Sequence, residues 1–442
     1  VLLAWAGLWT FRTGGAPRLT LETDRPGIGP KTHVTLSAEA DGRGLGTLRL
    51  ELDLGGETRV LAEHVHQPRS AWALWGRSTR TDRLEADVGS TAIEGLREGQ
   101  AILRASASRA GTWLLGPGPA VEERVLPVRL SPPSISPLSG NNHVVQGGSA
   151  VVVYRVGESS VRDGVMAGDW WFPGFPLPER GTDARFALYG APHDLDTGDA
   201  IRLVAEDELG NQARVTFLGY YGRRPLREAT MPLSDGFMSK VVPEILDHTP
   251  ELHDQGSLLD NYLMINRELR ARNAAALEQM AATSSPRFLF DQAFLRLPSS
   301  EVMSSFADRR TYVYQGKPVD HQDHLGFDLA STRNAPVLAS SGGAVAFAGY
   351  FGIYGNTVVL DHGYGLMTLY AHLSRIGVER GQSVERGEEI GRTGETGLAG
   401  GDHLHYAVLI GGHPVNPLEW WDAGWIRSRI VSKLGGALPF EG

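Results

Sequence analysis

The chain has no cysteine in its 442 residues. That excludes a disulfide scaffold, any cysteine-ligated zinc or iron–sulfur site, and a thiol nucleophile. It leaves the compartment open, because exported proteins can fold without disulfides. Lysine is scarce as well, four residues against 38 arginines, which reads as genomic bias rather than function. Excess positive charge is missing: the formal charge is −9 and the pI about 5.9, so no nucleic-acid partner is expected. Membrane-spanning runs are absent too. The apolar stretch 1–11 (VLLAWAGLWTF) is about half the roughly 20 residues a spanning helix needs. It starts at Val rather than Met and Arg12 follows it. Residues 1–14 therefore read as the remnant of a signal-anchor or signal peptide. The expectation is a cell-envelope location, periplasmic or extracytoplasmic, with two alternatives open: a single N-terminal membrane anchor tethering the chain to the inner membrane, or a cleaved signal.

What the chain does have is turns. Glycine and proline number 55 and 25, which suits many short strands. Across 15–130 apolar and polar residues alternate in runs such as Leu48-Arg-Leu-Glu-Leu52, punctuated by Gly, Pro, Asp and Asn. Period two with regular turn signals predicts an antiparallel sandwich. A proline-rich linker opens a second such stretch, 131–222, which closes on Ala205-Glu-Asp207-Glu-Leu-Gly210-Asn211. That hairpin resembles the last strands of bacterial immunoglobulin-like modules, so two immunoglobulin-like β-sandwiches are expected. Residues 223–286 lose the alternation. In 258–282 Leu259, Leu263, Ile265 and Leu269 form a helical stripe behind a Ser257 N-cap, predicting a helical connector packed on a neighbouring domain. Strands return over 287–425, and 426–442 reads as a C-terminal tail. The fold class is mainly β.

Seven of the fourteen histidines lie between His321 and His413. His324-Leu-Gly-Phe-Asp328 places imidazole and carboxylate four residues apart, on one face of a strand or of a helix turn. Both are ordinary zinc donors. His403-Leu-His405 follows a glycine-rich turn and opens a strand-like run. Its two rings would share a face about 7 Å apart, one able to bind a metal while the other faces the metal's open position. Leu369-Tyr-Ala-His372-Leu-Ser supplies a third histidine in an apolar setting. Each motif alone is weak. His64-Val-His66 has the same spacing with no acidic motif or glycine loop beside it, and reads as structural.

The three motifs in this order resemble the lysostaphin-type zinc metalloendopeptidases, whose pattern runs H-x-G-x-D-x-A, Y-A-H-L-S, then T-G-x-H-L-H. Ser305-Phe-Ala-Asp-Arg309-Arg310, Gly355-Asn356 through Gly363, and Val384 through Gly391 are similar to further family segments. The resemblance covers about 288–421 and implies an all-β peptidase domain. It implies one Zn2+ per chain on His324, Asp328 and His405, with His372 and His403 as non-ligand catalytic histidines. It further implies attack by a zinc-bound water on peptide cross-links of bacterial peptidoglycan, the stem peptides being the partner. An envelope protein could meet the N-terminal domains. Departures are Ala307, where the family has Gly, and Gly401-Asp402 ahead of the H-x-H. Tyr312 and Tyr314 precede the first ligand and read as buried strand tyrosines or as phenolic donors. His321 should face away from the site, and His362 and His413 sit in turn contexts that read as solvated. Trp170-Trp171 suggests packing in a sandwich loop or stacking on glycan rings. Two alternatives stay open: a non-catalytic wall-binding activator or scaffold, and a zinc endopeptidase acting on proteins.

Overall fold

A computed structural model describes residues 15–67, 78–109 and 118–441. The segment read as an anchor remnant lies outside the described residues. Among those described, no helix is long and apolar enough to cross a membrane. Strands hold 45% and helices 16% of the described residues, so the mainly β expectation holds. The chain forms two compact units. One runs to Ser134 and takes in Ser159–Val161 and Ala205–Ala213; the other holds the rest.

In the first unit one sheet is built from Arg18–Thr23, Thr32–Glu39 and Thr81–Val88, and another from Glu57–Val65, Leu45–Leu54, Gly99–Arg109 and Ala120–Val128. Along Thr32–Glu39, Leu45–Leu54 and Gly99–Arg109 alternate residues turn inward, as the alternation predicts, whereas Glu57–Val65 buries none. Val34, Leu36 and Leu84 of one sheet meet Leu48, Leu50, Leu52, Leu103 and Ala105 of the other in a single core. The Asp207–Asn211 turn is tied by its own side chains: Leu209 and Asn211 backbone N–H donate to Asp207 Oδ1 at 2.9 Å each. His64 and His66 are joined by Asp82, which lies outside any local motif and arrives from the other sheet.

In the second unit, Ser149–Val156 pairs with Ala184–Gly190 and Ile135–Pro137, and this sheet lies against the C-terminal part. Within the stretch 426–442, expected as a tail, residues 426–437 form a run of short helical turns, and Ile426, Ile430, Leu434 and Leu438 are buried. Lys433 Nζ from this run donates to Asn142 Oδ1 and Val151 O. Beside it Glu419 accepts from Ser149 N–H and Oγ–H at 2.7 and 2.8 Å. Burial outweighs those bonds and pushes the Glu419 carboxyl up from 4.5 to about 7. The folded chain thus holds this proton more tightly than the unfolded chain. The stabilisation is complete below about 4.5 and is lost as pH rises through about 7. Its full value is at most about 3 kcal/mol. Thermal melts of wild type and Glu419→Gln should therefore diverge across that window, wild type losing ground to the variant as pH rises. Parallel profiles would show that the carboxyl is not perturbed.

The connector is more than helical. Glu228–Leu233 is a strand that pairs in parallel with Asp308–Tyr314. Helix Asp235–Asp247 follows, capped by Ser234, which accepts from Phe237 N–H. Ser257 caps the next helix as expected, accepting from Asp260 N–H. That helix, Leu258–Met264, passes through a wide turn at Ile265–Leu269 into Arg270–Ala281. Its stripe packs on the peptidase part: Tyr262, Ile265 and Leu269 join Tyr312 and Ile353, while Leu277 and Ala281 join Val359, Leu369 and Leu409. Buried Asp320 locks the same helix by accepting from Asn266 Nδ2 and Arg267 Nε.

The C-terminal part is organised by a long antiparallel sheet. Its strands run in the order Glu301–Ser304, Phe327–Ala330, Leu404–Ile410, Leu366–Ala371, Asn356–Gly363, Gly343–Tyr350 and Ser383–Val384. Two histidines expected to be solvated are instead in the packing. His362 is fully buried between Gly342 O and Thr368 Oγ1, and burial pulls it down to about 4. His413 stacks on Trp170 at 4.4 Å, and burial lowers it to about 4 as well. Turn-like local sequence hid them because the layer that covers each comes from elsewhere in the chain.

Candidate metal centre and cleft

Three neighbouring strand elements bring the chemistry together. His324 ends the strand Lys317–His324, Asp328 lies on Phe327–Ala330, and His405 lies on Leu404–Ile410, directly opposite Asp328 in register. His324 Nε2, Asp328 Oδ1 and His405 Nδ1 form a triangle with sides of 2.8, 2.9 and 3.0 Å. All three residues are at least nine-tenths buried. Gly326 makes the approach possible, since a Cβ there would come within 2.6 Å of the His405 ring.

The donor set suits a metal. His324 Nδ1 faces the Ser305 carbonyl at 3.0 Å, so it carries the ring proton and Nε2 turns a lone pair to the triangle. Asp328 Oδ1 also has only lone pairs to offer. Its other oxygen, Oδ2, accepts from Arg310 Nη2 at 2.9 Å. Burial would raise the Asp328 carboxyl, but His324, His403 and His405 outweigh it and hold the group well below the usual carboxylate range. For His405 burial dominates and lowers the imidazole to about 4. Neutral imidazoles beside an ionised carboxylate are what a divalent ion requires of its ligands.

Ser305 and its turn set this geometry. Ala307 N–H donates to His324 O at 2.7 Å, and Ala307 sits at φ +65°. A left-handed residue there explains why glycine suits the position, and alanine accepts a strain of about 1–2 kcal/mol.

His372 and His403 stand beside the triangle. His372 follows the strand Leu366–Ala371 at φ +61°, a strained conformation that swings its ring out of the strand. Its Nδ1 faces Thr396 O at 2.8 Å, leaving Nε2 free of a proton. Burial, reinforced by His403 and His405, holds it well below the ordinary imidazole value. The His403 ring lies 4.9 Å from that of His372, with Nδ1 on Gly401 O and Nε2 3.6 Å from Asp328 Oδ1. Burial pulls His403 down, yet contact with Asp328 outweighs it and raises the group. All five predicted site residues therefore meet. His321 does face away, bonded to Thr311 Oγ1.

These groups open into a cleft of about 370 Å3. One wall comes from the connector: Met231, Phe237, Tyr262 and Arg270. Tyr312 is buried and lines the cleft, whereas Tyr314 bonds to Asp235 Oδ1 away from it. The aromatic nearest the ligands is Tyr354, 5.7 Å from the His405 ring, which no local pattern singled out. The role of Arg310 was missed too, although a carboxylate ligand commonly needs a second partner to orient it.

Residues 322–417 match the family model Peptidase family M23, and the C-terminal part carries a domain of that family. The family is one of metallopeptidases. Over 108 residues the chain is 45% identical to the DD-carboxypeptidase/endopeptidase Mpg of Neisseria meningitidis serogroup B, covering 24% of this chain and 25% of that protein. It is 38% identical over 131 residues to the Peptidoglycan DD-endopeptidase ShyA of Vibrio cholerae, covering 29% and 30% respectively. The solved catalytic domain of the antimicrobial peptidase lysostaphin from Staphylococcus simulans aligns at 26% identity with a TM-score of 0.24, over 28% of this chain and 92% of that one. The chain thus spans about a quarter to a third of the length of the curated relatives it matches.

Proposed function

We propose that this chain is a zinc-dependent endopeptidase that hydrolyses the peptide cross-links of bacterial peptidoglycan. The observation that carries the reading is the buried His324–Asp328–His405 triangle inside a domain of a metallopeptidase family. The substrate comes from relatives named as peptidoglycan endopeptidases. His324, Asp328 and His405 would hold one Zn2+. When bound, zinc supplies Lewis acidity that polarises a scissile carbonyl and makes water a nucleophile near neutral pH.

The chain's own residues do the rest. Ser305 O and Arg310 fix the His324 ring and the Asp328 carboxylate. His372 Nε2, kept unprotonated by burial, is placed to accept a proton. His403 Nε2, whose proton the Asp328 charge retains, is placed to donate one to a leaving amine. Arg310 orients the Asp328 carboxylate, so Arg310→Ala should weaken zinc retention roughly 10–100-fold. Competition with a chromophoric chelator reads this directly, and unchanged retention would leave Arg310 without a positioning role.

An envelope location follows from the substrate. The sandwiches at 15–130 and 131–222 and the connector at 223–286 would position the catalytic domain, 287–425, on the wall. Digestion of purified sacculi and of casein by the full chain tests the substrate class. Mass spectrometry should show cross-linked muropeptide dimers turning into monomers, with casein intact. Cleaved casein with untouched dimers would overturn the proposal.

A further inference from the structure

We propose a second transition-metal site on the first sandwich, held by His64, His66 and Asp82. His64 is the penultimate residue of the strand Glu57–Val65 and His66 lies just beyond it. Two residues apart, they present their rings to the same side. Asp82 is the second residue of the strand Thr81–Val88 of the other sheet. Its Oδ2 takes both imidazoles, His64 Nδ1 at 2.9 Å and His66 Nε2 at 2.6 Å, and the three donor atoms lie within 4.8 Å of one another.

The backbone also fixes these donors. Asp82 Oδ1 accepts the Arg83 N–H at 2.8 Å, which turns Oδ2 toward the rings. His66 N–H donates to Gly46 O at 2.6 Å. Two ring nitrogens that converge on one carboxylate oxygen need protons or a shared cation between them. Two imidazoles with one carboxylate select a first-row ion such as Zn2+ or Cu2+ over Mg2+ or Ca2+, which prefer all-oxygen sites. The His64 side chain is 51% exposed and the other two 20% and 15%, so the coordination is open to solvent and the ion exchangeable. The site differs in this from the buried triangle of the cleft. An ion there would also tie together strands of two different sheets.

The test is zinc uptake by the full-length chain after stripping with chelator, titrated with Zn2+ against a chromophoric competitor. Wild type should take two equivalents, the weaker of them absent from both His64→Gln/His66→Gln and Asp82→Asn. Peptidoglycan digestion at saturating zinc should stay within twofold of wild type in these variants, since none touches the cleft. His405→Ala should retain the weaker equivalent, and Cu2+ bound to that variant should show two coupled nitrogens by electron paramagnetic resonance. If Asp82→Asn does not fold, the histidine double variant, which leaves the Asp82–Arg83 turn intact, decides. Wild type and double variant taking up equal zinc, or Cu2+ without nitrogen coupling, would overturn the proposal. The difference between wild type and the double variant holds whether or not the cleft binds zinc, and the nitrogen coupling should vanish when His64→Gln/His66→Gln is added to His405→Ala.

Discussion

His405→Ala should lose the cleft's zinc and with it essentially all hydrolysis. The two remaining donors, His324 Nε2 and Asp328 Oδ1, sit 2.8 Å apart but no longer close a triangle. Lewis-acid help is worth several kcal/mol at the transition state, so the rate should fall on the order of 10³-fold or more. Asp328→Asn should do the same and add a structural cost. Arg310, only 15% exposed, would lose the carboxylate it binds at 2.9 Å, and an unpaired buried charge is strongly destabilising. A lower melting temperature in Asp328→Asn than in His405→Ala is therefore expected. Zinc should be counted in a His64→Gln/His66→Gln background, so that the sandwich site does not contribute. Full zinc in His405→Ala on that background would remove the residue from the ligand set.

The second large effect separates chemistry from binding. His372→Ala and His403→Ala should each keep the ion, because neither ring belongs to the triangle. Each should nevertheless lose about 10²–10⁴-fold in rate, the usual worth of general acid–base help. Their opposed environments make the two losses distinguishable. His372 is driven low by burial and its histidine neighbours, while His403 is held up by Asp328. A substrate with a better leaving group should rescue His403→Ala and leave His372→Ala slow. A variant within twofold of wild type would make that histidine a bystander.

Much of the site was legible because its residues sit in short, local motifs. H-x-x-x-D, Y-A-H and H-x-H each place a donor relative to a strand, and the five residues they name meet in the folded chain. Ser257 was legible as a cap for the same reason. What stayed hidden depends on distant partners. Asp82 lies in another sheet from His64 and His66, so no spacing rule joins them. His362 and His413 look like turn residues until Phe294 and Trp170 cover them. The strand Glu228–Leu233 alternates over only six residues and contains Pro232, and it gains its place by pairing with Asp308–Tyr314, about eighty residues on. Helix Asp235–Asp247 holds an internal proline, Pro243, which argues locally against a helix. Burial of Met238, Val241, Val242 and Ile245 outweighs it.

The most direct test of the central claim is cleavage of one purified, peptide-cross-linked muropeptide dimer by metal-stripped full-length protein, before and after zinc is restored. The expected result is no cleavage without zinc, conversion of dimer to monomers on adding about one equivalent, and no recovery in His405→Ala. Cleavage that persists in chelator, or a dimer left intact by the zinc-loaded wild type, would contradict it.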